Sequence, residues 1–507
     1  MPITTLLNPI KLAAMGAALV ALGLILWWAR SRTLAVATPI TAGALVLTAA
    51  AASAVWSPDQ ALRVASAYVS HVICSGTFVA RLPPDEVYAE NIRATPAFDL
   101  LDHVLRYEVD RERRQVTTTI AGGFASRAVF RDGLGCLVLN GEAPVTSLSA
   151  DAITTTPAVP ALLPEIAGPA VVTPADETMR AALDRAFAEP GATSRRRTKA
   201  IVVVHDGRVI AERYAPGYGV DTPMIGNSLT KSVISTLIGI LVRDGRLATD
   251  QLAPVAAWHG PGDPRRAITI DNLLRQNSGL DIDETGSGFD PVSRMLMLEP
   301  DMAAFAEAVP LAAAPGRRWR YTSGNYLLLS RILRDAVGGN ADAVLRFAHR
   351  ELFDPLGMRS VTLEFDTTGT PMGSTFLYAT ARDWARFGQL HLDDGIVGGR
   401  RILPEGWMQY ATSPTAGSHY GYGAGWWTSL KPGGRLNAGD TGLPPGAFFA
   451  DGRLGQFVIV VPAERLVVVR LGLTRQPGLG DDGGIAPLIA DVIAALHQDS
   501  RGVQASR

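Results

Sequence analysis

The sequence predicts an α+β protein in which an antiparallel sheet, assembled from two distant parts of the chain, is flanked by helices and interrupted by a mostly helical insertion. Two strand pairs carry this prediction. Ala200-Ile-Val-Val-Val204 and Val209 to Tyr214 lie around His205-Asp206-Gly207-Arg208, and Phe457-Val-Ile-Val-Val461 and Leu466-Val-Val-Val-Arg470 lie around Pro462-Ala-Glu-Arg465. β-branched runs of this length around short turns are hairpins. The third observation is the pattern between and around them. Helical segments and loops separate the hairpins, and a helix from Asp176 to Phe187 and another from about Ile485 to His497 bracket them, which suits one sheet with helices on its faces.

The chain begins with a different kind of segment. Leu12 to Ala29 is apolar and uncharged, Arg30-Ser31-Arg32 follows, and Leu34 to Trp56 is a second uncharged stretch interrupted by Pro39. With Arg30 and Arg32 retained in the cytoplasm, the second stretch runs outward and carries everything after Trp56 to the far side of a membrane. A cleaved leader ending at Ala52-Ser53-Ala54 is the competing reading. Residues 1–57 are therefore expected to be a membrane anchor of one or two segments, with the rest outside the cytoplasm, on the periplasmic side in a Gram-negative cell. Cys74 and Cys136 are the two cysteines of the chain and both follow this region, so a disulfide between them is expected.

Residues 58–150 form an N-terminal extension with strand-like runs at Val116 to Ile120 and Cys136 to Leu139 and a turn at Asp132-Gly133. Residues 151–175, rich in Pro, Ala and Thr, read as a linker or a strap over a domain surface. Residues 176–500 hold the two hairpins and the chemistry. The formal net charge of -1 gives no footprint for nucleic acid.

Of 47 Lys and Arg residues only four are lysine, and one of them closes the chain's single Ser-x-x-Lys, Ser228-Leu229-Thr230-Lys231. An ammonium can lose its proton when buried or crowded, whereas a guanidinium stays charged, so a lysine in an arginine-rich background points to a base. The run Ser232 to Val242 is apolar on nearly all faces and stops at Asp244-Gly245, which reads as a buried helix beginning near Ser228. Residues three apart on a helix are neighbours, so the hydroxyl and the amine meet. The first turn also offers backbone N–H groups to a developing oxyanion.

Two further segments complete a pattern. Trp319-Arg-Tyr321-Thr-Ser323-Gly-Asn-Tyr326 precedes a helix over Leu327 to Val337, and Phe448-Phe-Ala450-Asp451-Gly452-Arg453-Leu-Gly-Gln456 runs into the Phe457 strand. With Asn277-Ser278-Gly279-Leu280 and the Gly-Gln run ending at Pro462, residues 176–500 resemble the class C β-lactamase-like serine hydrolases, on the branch of 6-aminohexanoate-dimer hydrolase and related esterases. The resemblance implies a β-lactamase/transpeptidase-like fold. It makes Ser228 the acylating nucleophile, Lys231 and Tyr321 the groups that take its proton, and Ser323 a contact of the lysine or the substrate, unless its hydroxyl caps the next helix. Which of Lys231 and Tyr321 holds the proton at rest stays open.

The third motif departs from the family. Aligning Ala450-Asp451-Gly452 with its strand triad puts alanine where relatives carry Lys, His or Trp, and pairs the backbone N–H of Arg453 with that of Ser228 as an oxyanion hole. The alternative alignment, Arg453-Leu454-Gly455, gives that place to Gln456. Asp281, Asp283 and Glu284 read either as a cleft lining or as a surface loop. His391 with Asp393 and Asp394 reads as a solvated turn at a helix end rather than a metal cluster, and His205 as a hairpin residue. The expectation is a serine hydrolase that opens a small-molecule ester or amide through an acyl-serine, without metal or organic cofactor, its oligomeric state open. A β-lactamase or D-amino peptidase using the same residues, or a catalytically silent ligand-binding member of the fold, are the alternatives.

Overall fold

The computed structural model describes residues 58–139, 159–189, 191, 196–418, 421–428, 430–431, 435–436, 442–474 and 484–505. Both apolar stretches ahead of Trp56 lie outside the described residues, and among the described residues no helix is long and apolar enough to cross a membrane.

The N-terminal extension is a helix, α1 (Pro58–Phe78), laid on a four-stranded antiparallel meander, β1 (Leu105–Asp110), β2 (Gln115–Ile120), β3 (Gly123–Arg131) and β4 (Gly135–Leu139). Val69 and Ile73 of α1 share a core with Leu105, Val116, Ile120 and Ala128 of the sheet. Cys74 on α1 is bonded to Cys136 on β4. The strand-like runs of the sequence fall inside β2 and β4, whereas α1 has no counterpart in the sequence reading. Ser66, Ser70, His71 and Ser75 interrupt its apolar pattern, yet all four are buried. The three serines find partners: Ser66 and Ser70 donate to the carbonyls of Arg63 and Ala67, and Ser75 Oγ donates to Glu364.

Residues 159–175, the described part of the stretch 151–175, run over the hydrolase module. The N–H groups of Leu162 and Leu163 donate to the carbonyl of Pro355, that of Val172 to the Glu212 carboxylate, and Arg382 reaches the carbonyls of Gly168 and Ala170. A segment without ladder partners thus satisfies its backbone on the domain beneath.

Helix α2 (Glu177–Phe187), with Asp176 as its N-cap, leads into β5 (Thr198–His205) and β6 (Arg208–Tyr214). His205 ends β5 opposite Arg208, as a hairpin residue. The insertion carries α3 (Leu229–Arg243), α4 (Pro291–Leu298), α5 (Ser323–Val337) and α6 (Ala381–Leu392), and the chain then returns through β7 (Trp427–Thr428), β8 (Phe448–Gly452), β9 (Gln456–Val461), β10 (Leu466–Gly472) and α7 (Ile485–Ala505). The sheet order is β7-β8-β9-β10-β5-β6, antiparallel throughout, with β10 of the second hairpin paired to β5 of the first. Alternation explains why these strands are apolar on both sides. Ile201, Val203, Ile459 and Val468 face α2 and α7, while Val202, Val204, Val458 and Val467 face α3 and α6. Both faces are covered, so neither can be polar.

The two modules meet across a buried polar joint. Glu364 of the insertion accepts from Ser75 Oγ at 2.7 Å and from the Cys136 N–H at 2.9 Å, and its other oxygen lies 2.7 Å from His71 Nε2. Arg131 of β3 donates to the Phe365 carbonyl at 2.5 Å.

Candidate active site

Helix α3 begins at Ser228, whose side chain makes no cap to the helix and so remains directed elsewhere. The preceding Asn227 sits in the left-handed region at φ 48°, which asparagine tolerates better than most residues. Its Nδ2 donates to the Arg453 carbonyl at 2.8 Å, tying the start of α3 to the end of β8. Gly452 allows this approach: a Cβ there would stand 2.3 Å from the Gly226 carbonyl oxygen. The glycine of the third motif is thus explained by backbone contact, and the β8 end beside Ser228 carries Gly452 and Arg453. Gln456, the donor of the alternative alignment, opens β9 opposite Gly452 and donates its side-chain amide to Gly472.

Lys231 is 2 % exposed. Its Nζ donates to Ser228 Oγ at 3.0 Å, to Ser323 Oγ at 3.2 Å and to the Ser374 carbonyl at 2.8 Å. Three acceptors match the three hydrogens of an ammonium, and loss of one proton leaves a lone pair with a serine hydroxyl beside it. Burial pushes the amine down to about 8, against the attraction of Glu284 and Asp451. Tyr321 closes the group from the other side, its phenol in hydrogen-bonding reach of the Ser228 hydroxyl and its ring 4.8 Å from Lys231 Nζ. Burial holds that phenol well above its ordinary value. At neutral pH the tyrosine therefore keeps its proton, and of the two it is Lys231 that reaches the free-base form within an ordinary pH range.

Several side chains hold Tyr321 in place. Its ring stacks on Trp427 at 5.7 Å and meets Tyr422 edge-on at 5.8 Å. The Asn277-Ser278 motif acts just beyond it: Ser278 Oγ donates to Asn325, Asn325 donates to Gln276, and Gln276 accepts from the Thr322 N–H. Thr322, rather than Ser323, is the N-cap of α5. Ser323 stands between Lys231 and Glu284, whose carboxylate accepts from both its N–H and its hydroxyl. Of the three acidic residues in the preceding loop, Glu284 alone reaches this group, while Asp281 and Asp283 are paired with Arg320 on the surface.

Asp451 is the residue that sequence reasoning missed. It lies half-buried at the cavity wall on β8, and desolvation pushes its carboxyl up to about 7 against the opposing effect of Lys231. The signal was present as a carboxylate within the apolar run Phe448-Phe449-Ala450, where a charge without a function is costly. Ala450 is buried in the core. The Arg453 guanidinium lies 6.0 Å from the ring of Tyr68 on α1.

His391 is not part of a solvated turn. It is 2 % exposed, with Nδ1 2.8 Å from the Phe387 carbonyl and Nε2 3.0 Å from Thr236 Oγ1, and burial lowers it to about 4. Asp393 is engaged by Arg465. Among the described residues no group of three His, Cys, Asp or Glu side chains is arranged to hold a metal ion.

This chain resembles several known proteins. It is 25% identical over 317 residues to the 6-aminohexanoate-dimer hydrolase of Paenarthrobacter ureafaciens, covering 59% of this chain and 79% of that protein. It is 29% identical over 219 residues to penicillin-binding protein 4 of Amycolatopsis lactamdurans, covering 36% of this chain and 54% of that protein. Among solved structures, a penicillin-binding protein homologue from Caulobacter crescentus superposes with a TM-score of 0.49 at 18% identity, covering 64% of this chain and all of that one. The beta-lactamase family model matches residues 183–494, which takes in both hairpins and every residue of the group around Ser228. With that match over more than half of its length, the chain belongs to the beta-lactamase family and is a serine hydrolase of β-lactamase/transpeptidase-like α+β fold.

Proposed function

We propose that Ser228 is the nucleophile of an ester or linear-amide hydrolase in which Lys231 is the resting base and Tyr321 the second proton carrier. The observation that carries this is the 3.0 Å contact between Lys231 Nζ and Ser228 Oγ inside a desolvated pocket. Serine at its own pKa is a weak nucleophile and needs an adjacent base. As Oγ attacks the carbonyl carbon, its proton passes to the free amine of Lys231. The oxygen of the tetrahedral intermediate then takes hydrogen bonds from the N–H groups of Ser228 and Arg453. Collapse expels the leaving group, which collects a proton relayed through Lys231 and the Tyr321 phenol, and leaves an acyl-serine. Water enters, gives its proton to the same base, and frees the acid. The N–H groups of Leu229, Thr230 and Lys231 already bond to carbonyls of residues 226–228, so the oxyanion relies on Ser228 within this turn.

Esters and linear amides are the preferred substrates in this reading. Ala450 offers no side chain to a lactam carboxylate, and the Arg453 guanidinium is turned toward Tyr68. A missing charge-assisted hydrogen bond of roughly 1.5 to 3 kcal/mol corresponds to about one to two decades in specificity. The reading extends to the whole chain: residues 1–57 tether the enzyme, 58–150 form the disulfide-bonded extension, and 176–500 form a hydrolase module that works outside the cytoplasm on a small molecule. Turnover of p-nitrophenyl butyrate, aminohexanoate dimer and nitrocefin by wild type and Ser228→Ala tests it. Ester or dimer hydrolysis that vanishes in the variant is expected. Nitrocefin as the far better substrate overturns the substrate class, and wild-type turnover by Ser228→Ala overturns the nucleophile.

A further inference from the structure

The cavity in front of Ser228 has a volume of about 870 Å³, near the upper end of what small-molecule sites enclose. A short-chain ester occupies a fraction of that. One wall comes from the N-terminal extension, outside the family match. Leu62, Ala65, Tyr68 and Val72 line it from α1, at spacings of three and four that put them on one helical face, and each is half-buried. Leu296 of α4 lines the cavity from the insertion, and Phe289, 58% exposed, stands in the loop before α4. Lys199, which also lines the cavity, is paired with Glu90 at 2.6 Å. The Arg453 guanidinium lies near the Tyr68 ring. The loop before α4 also brings Thr285, Ser287 and Asp290 to the lining, whereas the surface that α1 contributes is apolar. The uncharged stretch Leu34 to Trp56 ends just ahead of the first residue of this helix.

We infer that the substrate is an ester or amide bearing a long apolar chain, which lies along the Leu62–Val72 face of α1, so that the N-terminal extension is a specificity wall of the active site. This rests on the assignment of Ser228 as nucleophile. The cleaved bond is the ordinary one: serine displaces the alcohol or amine, water then displaces serine, and the chain contributes binding alone. Each methylene moved from water into such a wall is worth about fourfold in kcat/KM. The same chemistry arises whether the chain sits on the carbonyl or on the leaving oxygen.

The test uses the full chain in detergent at one fixed concentration. Two series separate the two placements of the chain: p-nitrophenyl acyl esters from butyrate to dodecanoate, and alkyl acetates from butyl to dodecyl. In one of them kcat/KM is expected to rise by about a hundredfold or more between four and ten carbons before levelling. Ala65→Trp, which fills the wall, is expected to lower the ten-to-four-carbon ratio at least tenfold. Leu62→Gln, at the outer end of the face, is expected to lower it less, and it serves if the tryptophan variant does not fold. Micelle partitioning is common to all variants and cancels in that comparison. Ser228-dependent butyrate turnover with a flat chain-length profile, or an unchanged ratio in both folded variants, overturns the inference alone. Ester turnover that survives Ser228→Ala overturns the nucleophile assignment on which it rests, and the inference with it.

Discussion

Lys231 with Glu284 and Asp451, and Arg131 with Glu364 and His71, are two clusters of ionisable side chains withdrawn from bulk water, one inside the hydrolase module and one at its joint with the N-terminal extension. Burial pushes Lys231 down to about 8 and Arg131 down to about 10, each against the attraction of nearby carboxylates. What separates the clusters is access. Ser228, Glu284, Tyr321 and Asp451 line one cavity, whereas His71 and Glu364 are at most 2 % exposed and Glu364 spends its oxygens on a serine, a backbone N–H and an imidazole. The first cluster holds a group that can change protonation beside the Ser228 hydroxyl. The second holds two modules together. A shifted ionisation thus marks burial, and it marks chemistry when a cavity and a nucleophile accompany it.

The largest effect that sharpens this contrast is Lys231→Arg. A guanidinium cannot accept the serine proton, so kcat/KM for an ester is expected to fall about a thousandfold, roughly 4 kcal/mol and close to the loss in Lys231→Ala, with little change in the melting temperature. Retention of more than about a tenth of the rate would reduce Lys231 to a positioning cation and erase the distinction.

Next in size, Glu364→Ala is expected to behave in the opposite way. Removing one partner of a buried charged joint costs about 3 kcal/mol or more of stability, read as a fall in denaturation midpoint. The folded fraction should still label at Ser228. A stable variant with ester turnover abolished would mean the joint belongs to the chemistry.

The smallest effect is a shift in pH profile. In the proposed mechanism Lys231 acts as the free base, so the rate is expected to rise with pH through about 8. Asp451, once ionised, favours the ammonium; Asp451→Asn removes that attraction, lowers the lysine pKa, and moves the acid limb toward lower pH by roughly one unit. A limb that stays in place, or moves up, would show that Asp451 does not sense Lys231.

Much of the site was legible because local geometry determines it. Ser228 and Lys231 are three apart on a helix whose apolar run and Asp244-Gly245 stop are plain in the sequence, and Tyr321 stands just before a second such helix. The hairpins were legible from β-branched runs, and their pairing into one sheet from helices bracketing both. Other parts depended on tertiary contact. Ser323 could have capped α5 or met Lys231, and only the approach of α3 and α5 decides for the lysine while Thr322 takes the cap. Asp451 is masked in the sequence because the triad's side-chain variation lies at its first position, Ala450, and the nearness of Asp451 to Lys231 is a tertiary fact. Helix α1 was hidden by polar residues that are buried against Glu364 and the extension's own sheet, and its place along the cavity follows from a joint between modules that no local pattern encodes.

Activation of Ser228 by Lys231 can be read without any substrate, by covalent labelling. The full chain is treated with a fluorophosphonate, the adduct located by peptide mass mapping, and the labelling rate followed across pH. A single adduct on the peptide holding Ser228, forming faster as pH rises through about 8 and absent in Ser228→Ala, is the predicted result. An adduct at another residue, or labelling of Ser228 that is equally fast in Lys231→Arg, would contradict it.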